Sequence, residues 1–178
     1  RQSQDVKVHP SSVKYIPRHV FFEFIQLRSV ELFEGIKYIG NGAFKDCSSL
    51  ERISIPSTVE SIGEFAFSGC TNLSEVELFE GLKIICTGTF RNCSSLERIR
   101  IPSTVESIDC FEYCTNLREV ELCEGLEDIN GAFRGCLSLR RISIPATVKS
   151  IGESAFSGCT NLREVELFEG LRKIDCEA

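Results

Sequence analysis

Glu51–Leu73 reads ERISIPSTVESIGEFAFSGCTNL, and the phrase returns at Arg141–Leu162 as RISIPATVKSIGESAFSGCTNL and opens again at Glu97–Val105 as ERIRIPSTV. The leucine closing each copy stands at Leu27, Leu50, Leu73, Leu96, Leu117, Leu139 and Leu162, at intervals of 23, 23, 23, 21, 22 and 23 residues. Self-similarity at this period, with apolar residues at fixed offsets, is the mark of a solenoid of stacked units. One unit cannot bury its own apolar side, so stability comes from the interfaces between neighbours.

Within the unit after Leu50 the apolar residues are Ile53, Ile55, Val59, Ile62, Ala66, Phe67 and Cys70. Alternation at Ile53 and Ile55 predicts a short strand with one buried face. Pro56 ends it, because proline has no N–H to give to a ladder. The stretch from Pro56 to Cys70 is expected to return as irregular or 3₁₀ structure with one helical turn. Each inward Ile, Leu or Phe contributes roughly 1.5–3 kcal/mol of burial.

Two kinds of unit alternate. One carries Ile-Pro-Ser-Thr-Val or its near copy (Ile55–Val59, Ile101–Val105, Ile144–Val148). The other carries Glu-Gly-Leu or Glu-Gly-Ile (Glu34–Ile36, Glu80–Leu82, Glu124–Leu126, Glu169–Leu171). The structural period is therefore near 46 residues. Pro10, Val13, Ile16, Phe21 and Leu27 repeat the places of Pro56, Val59, Ile62, Phe67 and Leu73, which makes Arg1–Gln26 a degenerate first unit with Phe24 in a cysteine's place. Residues 1–178 thus form one solenoid of about eight units, the last cut short. Met is absent even at position 1, so the chain is read as a piece of a longer protein with further units.

Six of the ten cysteines (Cys47, Cys70, Cys93, Cys114, Cys136 and Cys159) recur at one position. They are expected as a ladder of small buried hydrophobes. Coils about 4.8 Å apart allow a disulfide distance, but parallel side-chain vectors suit its geometry poorly. Reduced thiols are the expectation, with a bridge between Cys86 and Cys110 as the alternative. No Cys-x-x-Cys pair or ligand-spaced histidine points to zinc. His9 and His19 have no nucleophile at motif spacing, and Gly63, Gly69, Gly81, Gly125 and Gly170 sit singly, as turn positions needing positive φ. Neither a catalytic set, a metal nor a cofactor is expected. Asn72-Leu-Ser and Asn92-Cys-Ser match a glycosylation acceptor, but they are repeat positions that recur at Asn116 and Asn161 without it. A net charge of −6 argues against nucleic acid, which needs a basic face. No apolar run is long enough to span a bilayer.

If Ile53 and Ile55 point inward, their alternates form three outward rows. The first is Asp5, Ser29, Arg52, Glu75, Arg98, Glu119, Arg141, Glu164; the second is Lys7, Glu31, Ser54, Glu77, Arg100, Glu121, Ser143, Glu166; the third is His9, Phe33, Pro56, Phe79, Pro102, Cys123, Pro145, Phe168. From Arg52 the first row alternates in sign. Two readings fit: lateral pairs that hold the stacking register, or a recognition strip for a protein partner. The acidic excess of the second row suits a basic partner. In the third row, an exposed stripe of Phe33, Phe79 and Phe168 beside the prolines would mark an interaction surface, unless each ring folds over its neighbouring proline. Cys123 would be a reactive thiol if exposed. The return from Ile108 to Cys114 lacks two residues and that from Ile129 to Cys136 lacks one, predicting a kink or groove near Cys110 and Tyr113.

The core Ile-x-Ile-Pro-x-x-Val-x-x-Ile-Gly-x-x-Ala-Phe-x-x-Cys in Leu50–Leu73, with Ala-Phe-x-x-Cys again at Ala43–Cys47, Ala132–Cys136 and Ala155–Cys159, strongly resembles the BspA-like, or Treponema-type, leucine-rich repeat class. The resemblance covers nearly the whole chain. It implies an α/β-type, right-handed solenoid with a parallel sheet on one face and irregular, 3₁₀ or short helical turns on the other. Members are bacterial surface proteins, many occur in protists and algae, and several act as adhesins. A cell-surface or extracellular location rests on that resemblance alone. The leading expectation is a noncatalytic protein-binding scaffold, used in adhesion or recognition. Its strand face would bind through Arg52, Glu75, Glu77, Phe79, Arg98, Arg100, Glu119, Glu121 and Arg141, with Phe33 and Phe168. The alternative is a structural spacer or self-assembling rod without a specific ligand.

Overall fold

The computed structural model describes residues 4–8 and 13–178; His9 and Pro10 lie outside them. Each unit contributes one longer and one two-residue strand. The longer strands are β1 (Gln4–Val8), β3 (Leu27–Leu32), β5 (Arg52–Ser54), β7 (Glu75–Glu77), β9 (Arg98–Ile101), β11 (Glu119–Leu122), β13 (Arg141–Ile144) and β15 (Glu164–Leu167). The short ones are β2 (Tyr15–Ile16), β4 (Tyr38–Ile39), β6 (Ser61–Ile62), β8 (Ile84–Ile85), β10 (Ser107–Ile108), β12 (Asp128–Ile129), β14 (Ser150–Ile151) and β16 (Lys173–Ile174). Paired strands are parallel and belong to successive units, so the molecule is a β-solenoid with two parallel faces. The long-strand ladder is interrupted between β7 and β9 and between β11 and β13, just before and just after the two shortened units. The short-strand ladder breaks between β8 and β10.

The sequence reading of a 3₁₀ or helical return is corrected: the described residues contain no helix, and the return is a run of turns. In the full-length units left-handed residues stand two places before and two after the stacked phenylalanine, as in Phe65 (φ 53°) and Gly69 (φ 75°) around Phe67. In the two shortened units they stand only after it, at Tyr113 and Gly135; a right-handed helix cannot pass through such positions. Alternate amides serve different partners. Those of Ala66, Ser68 and Cys70 close local turns to Gly63, Phe65 and Phe67, while those of Phe65, Phe67 and Gly69 donate to Thr87, Thr89 and Arg91 in the next coil. Backbone hydrogen bonding that a helix would satisfy within itself thus ties coil to coil. The α/β designation falls with the helix: the fold is all-β.

Between the two faces lie columns of identical side chains. Phe21, Phe44, Phe67, Phe90, Phe111, Phe133 and Phe156 form a continuous ring stack, with centroids 5.0–5.9 Å apart and planes within 15°. Beside it runs the expected cysteine ladder, buried throughout, and it does more than fill space. Each thiol donates to the carbonyl of a phenylalanine in the preceding coil, from Cys47 Sγ to Phe21 O at 3.0 Å through Cys159 Sγ to Phe133 O at 3.1 Å. Phe24, in the cysteine's place, packs edge-on against Phe21 instead.

All ten cysteines are free. The suggested Cys86–Cys110 bridge is not formed, and the two thiols occupy different columns. Cys110 is fully buried in the column of Ala43, Ala66, Thr89, Ala132 and Ala155, whereas Cys86 follows Ile85 as Gly63 follows Ile62. The two-residue deletion precedes Cys110 and moves it up against Phe111. Gly63 is also corrected: its φ is not positive. It is glycine because a Cβ would come within 2.6 Å of the Asn41 backbone nitrogen.

Candidate functional site

The alternating strand pattern puts Ile53, Ile99 and Ile142 in the core and Arg52, Arg98 and Arg141 in solvent. Register makes the first row continuous within each ladder: Ser29 pairs with Arg52, Arg52 with Glu75, Arg98 with Glu119 and Arg141 with Glu164. Opposite charges therefore stand side by side, as the spacing predicts. They do not close. Among the described residues, Arg52, Glu75, Arg98, Glu119, Arg141 and Glu164 form no ion pair within 4.0 Å.

The short-strand face behaves differently. There Lys37 pairs with Glu60 at 2.9 Å, Lys83 with the other oxygen of Glu60 at 3.6 Å, and Lys149 with Glu127 at 2.6 Å. The hydrogen bond and charge of Lys37 hold the Glu60 carboxyl below the usual carboxylate range. Five charged side chains of the short-strand face are thus paired, whereas the first row of the long-strand face is open.

The second row is partly engaged. Ser54 donates to Glu77 at 2.8 Å. Arg100 is a hub, with Nε 3.1 Å from Glu121 and Nη2 3.3 Å from Glu80. Glu80 belongs to a Glu-Gly corner, which sequence reading treated only as a turn. Its carboxylate also accepts from the amide and hydroxyl of Ser103. Glu34 does the same for Ser57 and Thr58 in an earlier pair of units. The Glu-Gly corner of one coil thus caps the Pro-Ser-Thr corner of the next, which explains the period of two units. Facing Glu80 and Ser103 at matching corners was the sequence signal for this bridge.

The third row is corrected. Pro56, Pro102 and Pro145 are buried, so no continuous outward stripe exists. Phe33 is half-buried, while Phe79 and Phe168 are 39% and 49% exposed. Cys123 is half-buried; desolvation raises its thiol pKa, with Arg100 acting against that, so it is not an activated nucleophile. The groove expected near Cys110 and Tyr113 opens beside Asp109, next to Cys110, and does not reach Tyr113. A hollow of about 380 Å³ between Cys86, Asp109 and Asn130 marks the break in the short-strand ladder, while Cys110 is core and Tyr113 sits against the guanidinium groups of Arg91 and Arg134.

Two open hollows indent the long-strand face. One, of about 660 Å³, runs from Arg52 and Ser54 across Glu75 and Glu77 to Arg98. The other, of about 400 Å³, spans Glu119, Glu121, Arg141 and Ser143. Arg52, Glu75, Glu77 and Arg98 therefore line the first hollow and Glu119, Glu121 and Arg141 the second, with Arg100 on the strand between Glu77 and Glu121. Phe33, Phe79 and Phe168 stand at the strand ends.

Residues 4–109 and 109–178 match the family described as BspA type leucine rich repeat region, in six copies. A leucine-rich repeat protein from Bacteroides ovatus is 32% identical with a TM-score of 0.85; the match covers 96% of this chain and 44% of that one. The leucine-rich repeat protein of T. pallidum is 31% identical with a TM-score of 0.75, covering 96% of this chain and 77% of that one. A leucine-rich repeat protein from Eubacterium ventriosum, 20% identical with a TM-score of 0.62 over 88% of this chain and 49% of that one, shares the fold. The chain thus spans under half the length of the Bacteroides ovatus protein. No curated protein matches it.

Proposed function

Because this chain belongs to the BspA-type leucine-rich repeat family, a class of interaction scaffolds, we propose that it is a noncatalytic binding module whose indented long-strand face docks a protein partner in adhesion or recognition. The observation that carries this is the open first row. Arg52 with Glu75, Arg98 with Glu119 and Arg141 with Glu164 stand in register yet form no ion pair among the described residues, while Lys37, Glu60, Lys83, Glu127 and Lys149 on the opposite face do. Unpaired charges of both signs along a docking surface give direction and selectivity more than raw affinity. Glu77, Arg100 and Glu121 widen the strip, and Phe79 offers an apolar anchor at its edge, with Phe33 and Phe168 further out.

The test is a charge-reversed variant, Arg98→Glu with Arg100→Glu and Glu119→Arg, compared with the parent chain in partner capture and thermal unfolding. Loss of capture at an unchanged Tm supports docking. Retained capture, or a lowered Tm as the sole effect, makes the row a stacking device and the molecule a spacer.

A further inference from the structure

Next to the open row, each closing leucine is followed by one more outward residue. Along the chain this column reads Arg28, Glu51, Ser74, Glu97, Arg118, Arg140, Arg163. Its first four members carry one cation and two carboxylates, with Arg28 paired to Glu51 at 3.5 Å and Glu97 beside Arg118. Its second half is three consecutive arginines. Arg163 N donates to Arg140 O at 2.9 Å, so these two are immediate lateral neighbours. Among the described residues none of the three has a carboxylate within ion-pairing distance. Like charges side by side on parallel strands repel, so this run is not a register device.

The arginines border a groove. Arg118, Arg140 and Arg141 line a hollow of about 520 Å³ together with Ser138, Asn161 and Glu119, three guanidinium groups against one carboxylate. Asn161 is held at the lip by donating to Leu137 O at 2.7 Å. The lining is rich in donors and contains no aromatic ring.

From this we infer a second binding site, which adjoins the protein-docking strip at Glu119 and Arg141: the Arg118–Arg140–Arg163 column with Ser138 and Asn161 takes an acidic polysaccharide, a sugar chain bearing sulfate or carboxylate groups. Arg140 and Arg163 stand on neighbouring hydrogen-bonded coils, so their backbones are about 4.8 Å apart, close to the advance of one pyranose ring. Arg118 lines the same hollow as Arg140 across the break in the ladder. An extended acidic peptide fits poorly, since its same-side carboxylates recur every two residues, about 6.6 Å. Single-stranded nucleic acid is disfavoured because such sites add aromatic stacking platforms to their positive charge. The amide and hydroxyl at the lip suit sugar hydroxyls, and fork-shaped guanidinium groups suit sulfate or carboxylate oxygens.

The experiment measures binding of the whole chain to heparin at low ionic strength, beside neutral dextran, polyglutamate and a single-stranded oligonucleotide. Heparin is expected to bind, with affinity falling as salt rises, and dextran not to bind. Arg140→Ala should weaken heparin binding about tenfold, and adding Arg163→Ala should weaken it further. Arg28→Ala, in the same column but paired to Glu51, should leave it unchanged. All three arginines are exposed, so the variants keep their fold, and an unchanged Tm verifies this. The site is overturned if heparin does not bind, if Arg140→Ala binds it like the parent, or if polyglutamate or the oligonucleotide binds as tightly. Loss of heparin binding with protein capture intact separates this site from the strand-face reading.

Discussion

Cys70 donates its thiol proton to the carbonyl oxygen of Phe44, 3.1 Å away in the preceding coil. Phe44 O already accepts from the amide of Cys47, so the thiol fills the second acceptor site of a fully buried carbonyl. Alanine would leave that site empty and a sulfur-sized void beside the ring stack. Cys70→Ala should therefore cost about 1–2 kcal/mol, read as a lower urea midpoint at an unchanged m-value. Cys70→Ala at parental stability would show the sulfur to be mere filling.

The ring column predicts a gradient. Phe67 lies between Phe44 and Phe90 with both planes nearly parallel to its own. Phe156 has a ring on one side only, Phe133, and is just partly buried. Phe67→Ala should cost about 3–5 kcal/mol, and Phe156→Ala less, as measured by chemical denaturation of each variant. Equal losses would mean that burial and stacking along the column do not set the stability.

These columns were legible because every unit places an apolar residue at the same offset, and Leu50, Ile53, Ile62 and Phe67 announce it. The outward first row was legible for the same reason: Arg52, Glu75 and Arg98 each precede the first inward residue of a strand. The third row failed because period-two reasoning was carried past the strand. β5 ends at Ser54, and by Pro56 the chain has begun its corner and turned inward. The return was misread because its left-handed positions are filled by His19, Phe65, Asn92 and Tyr113, residues that carry no glycine signal. Two-residue strands such as Ser61–Ile62 are too short to show a period at all. The capping of one coil's corner by the preceding unit's glutamate was signalled only by matching corners, since Glu80 and Ser103 lie 23 residues apart and meet only when the coils stack.

That capping has a pH signature. Hydrogen bonds from the hydroxyl and amide of Ser103, with help from Arg100, hold the Glu80 carboxyl below its ordinary value of 4.5 against the opposing effect of desolvation. A depressed folded-state pKa contributes stability that is present above the unfolded value and lost as pH falls through the folded one. Ser103→Ala should therefore be less stable than the parent at neutral pH, and the gap should narrow as pH drops below 4.5. Thermal unfolding of both proteins across that range measures it. A gap that is constant with pH would assign the effect of Ser103 to its own backbone corner. The third such corner carries Ala146 in the serine's place, so Ala146→Ser should add to stability at neutral pH by offering Glu124 the missing hydroxyl.

Thiol chemistry separates the cysteines by depth. Cys176 is exposed, Cys86 and Cys123 are half-buried, and the other seven are buried. Burial pushes the Cys47 thiol up to about 11 and that of Cys114 to about 12. Only the thiolate attacks an aromatic disulfide reagent. At pH 8 in native buffer, Cys176 should react first and Cys86 and Cys123 slowly. The seven buried thiols should react only as coils open, so their rate should follow unfolding and rise steeply with urea. Complete denaturation should release all ten. A shortfall that reductant restores would reveal a bridge; prompt reaction of the ladder in native buffer would mean that the thiol-to-carbonyl bonds do not hold the coils closed.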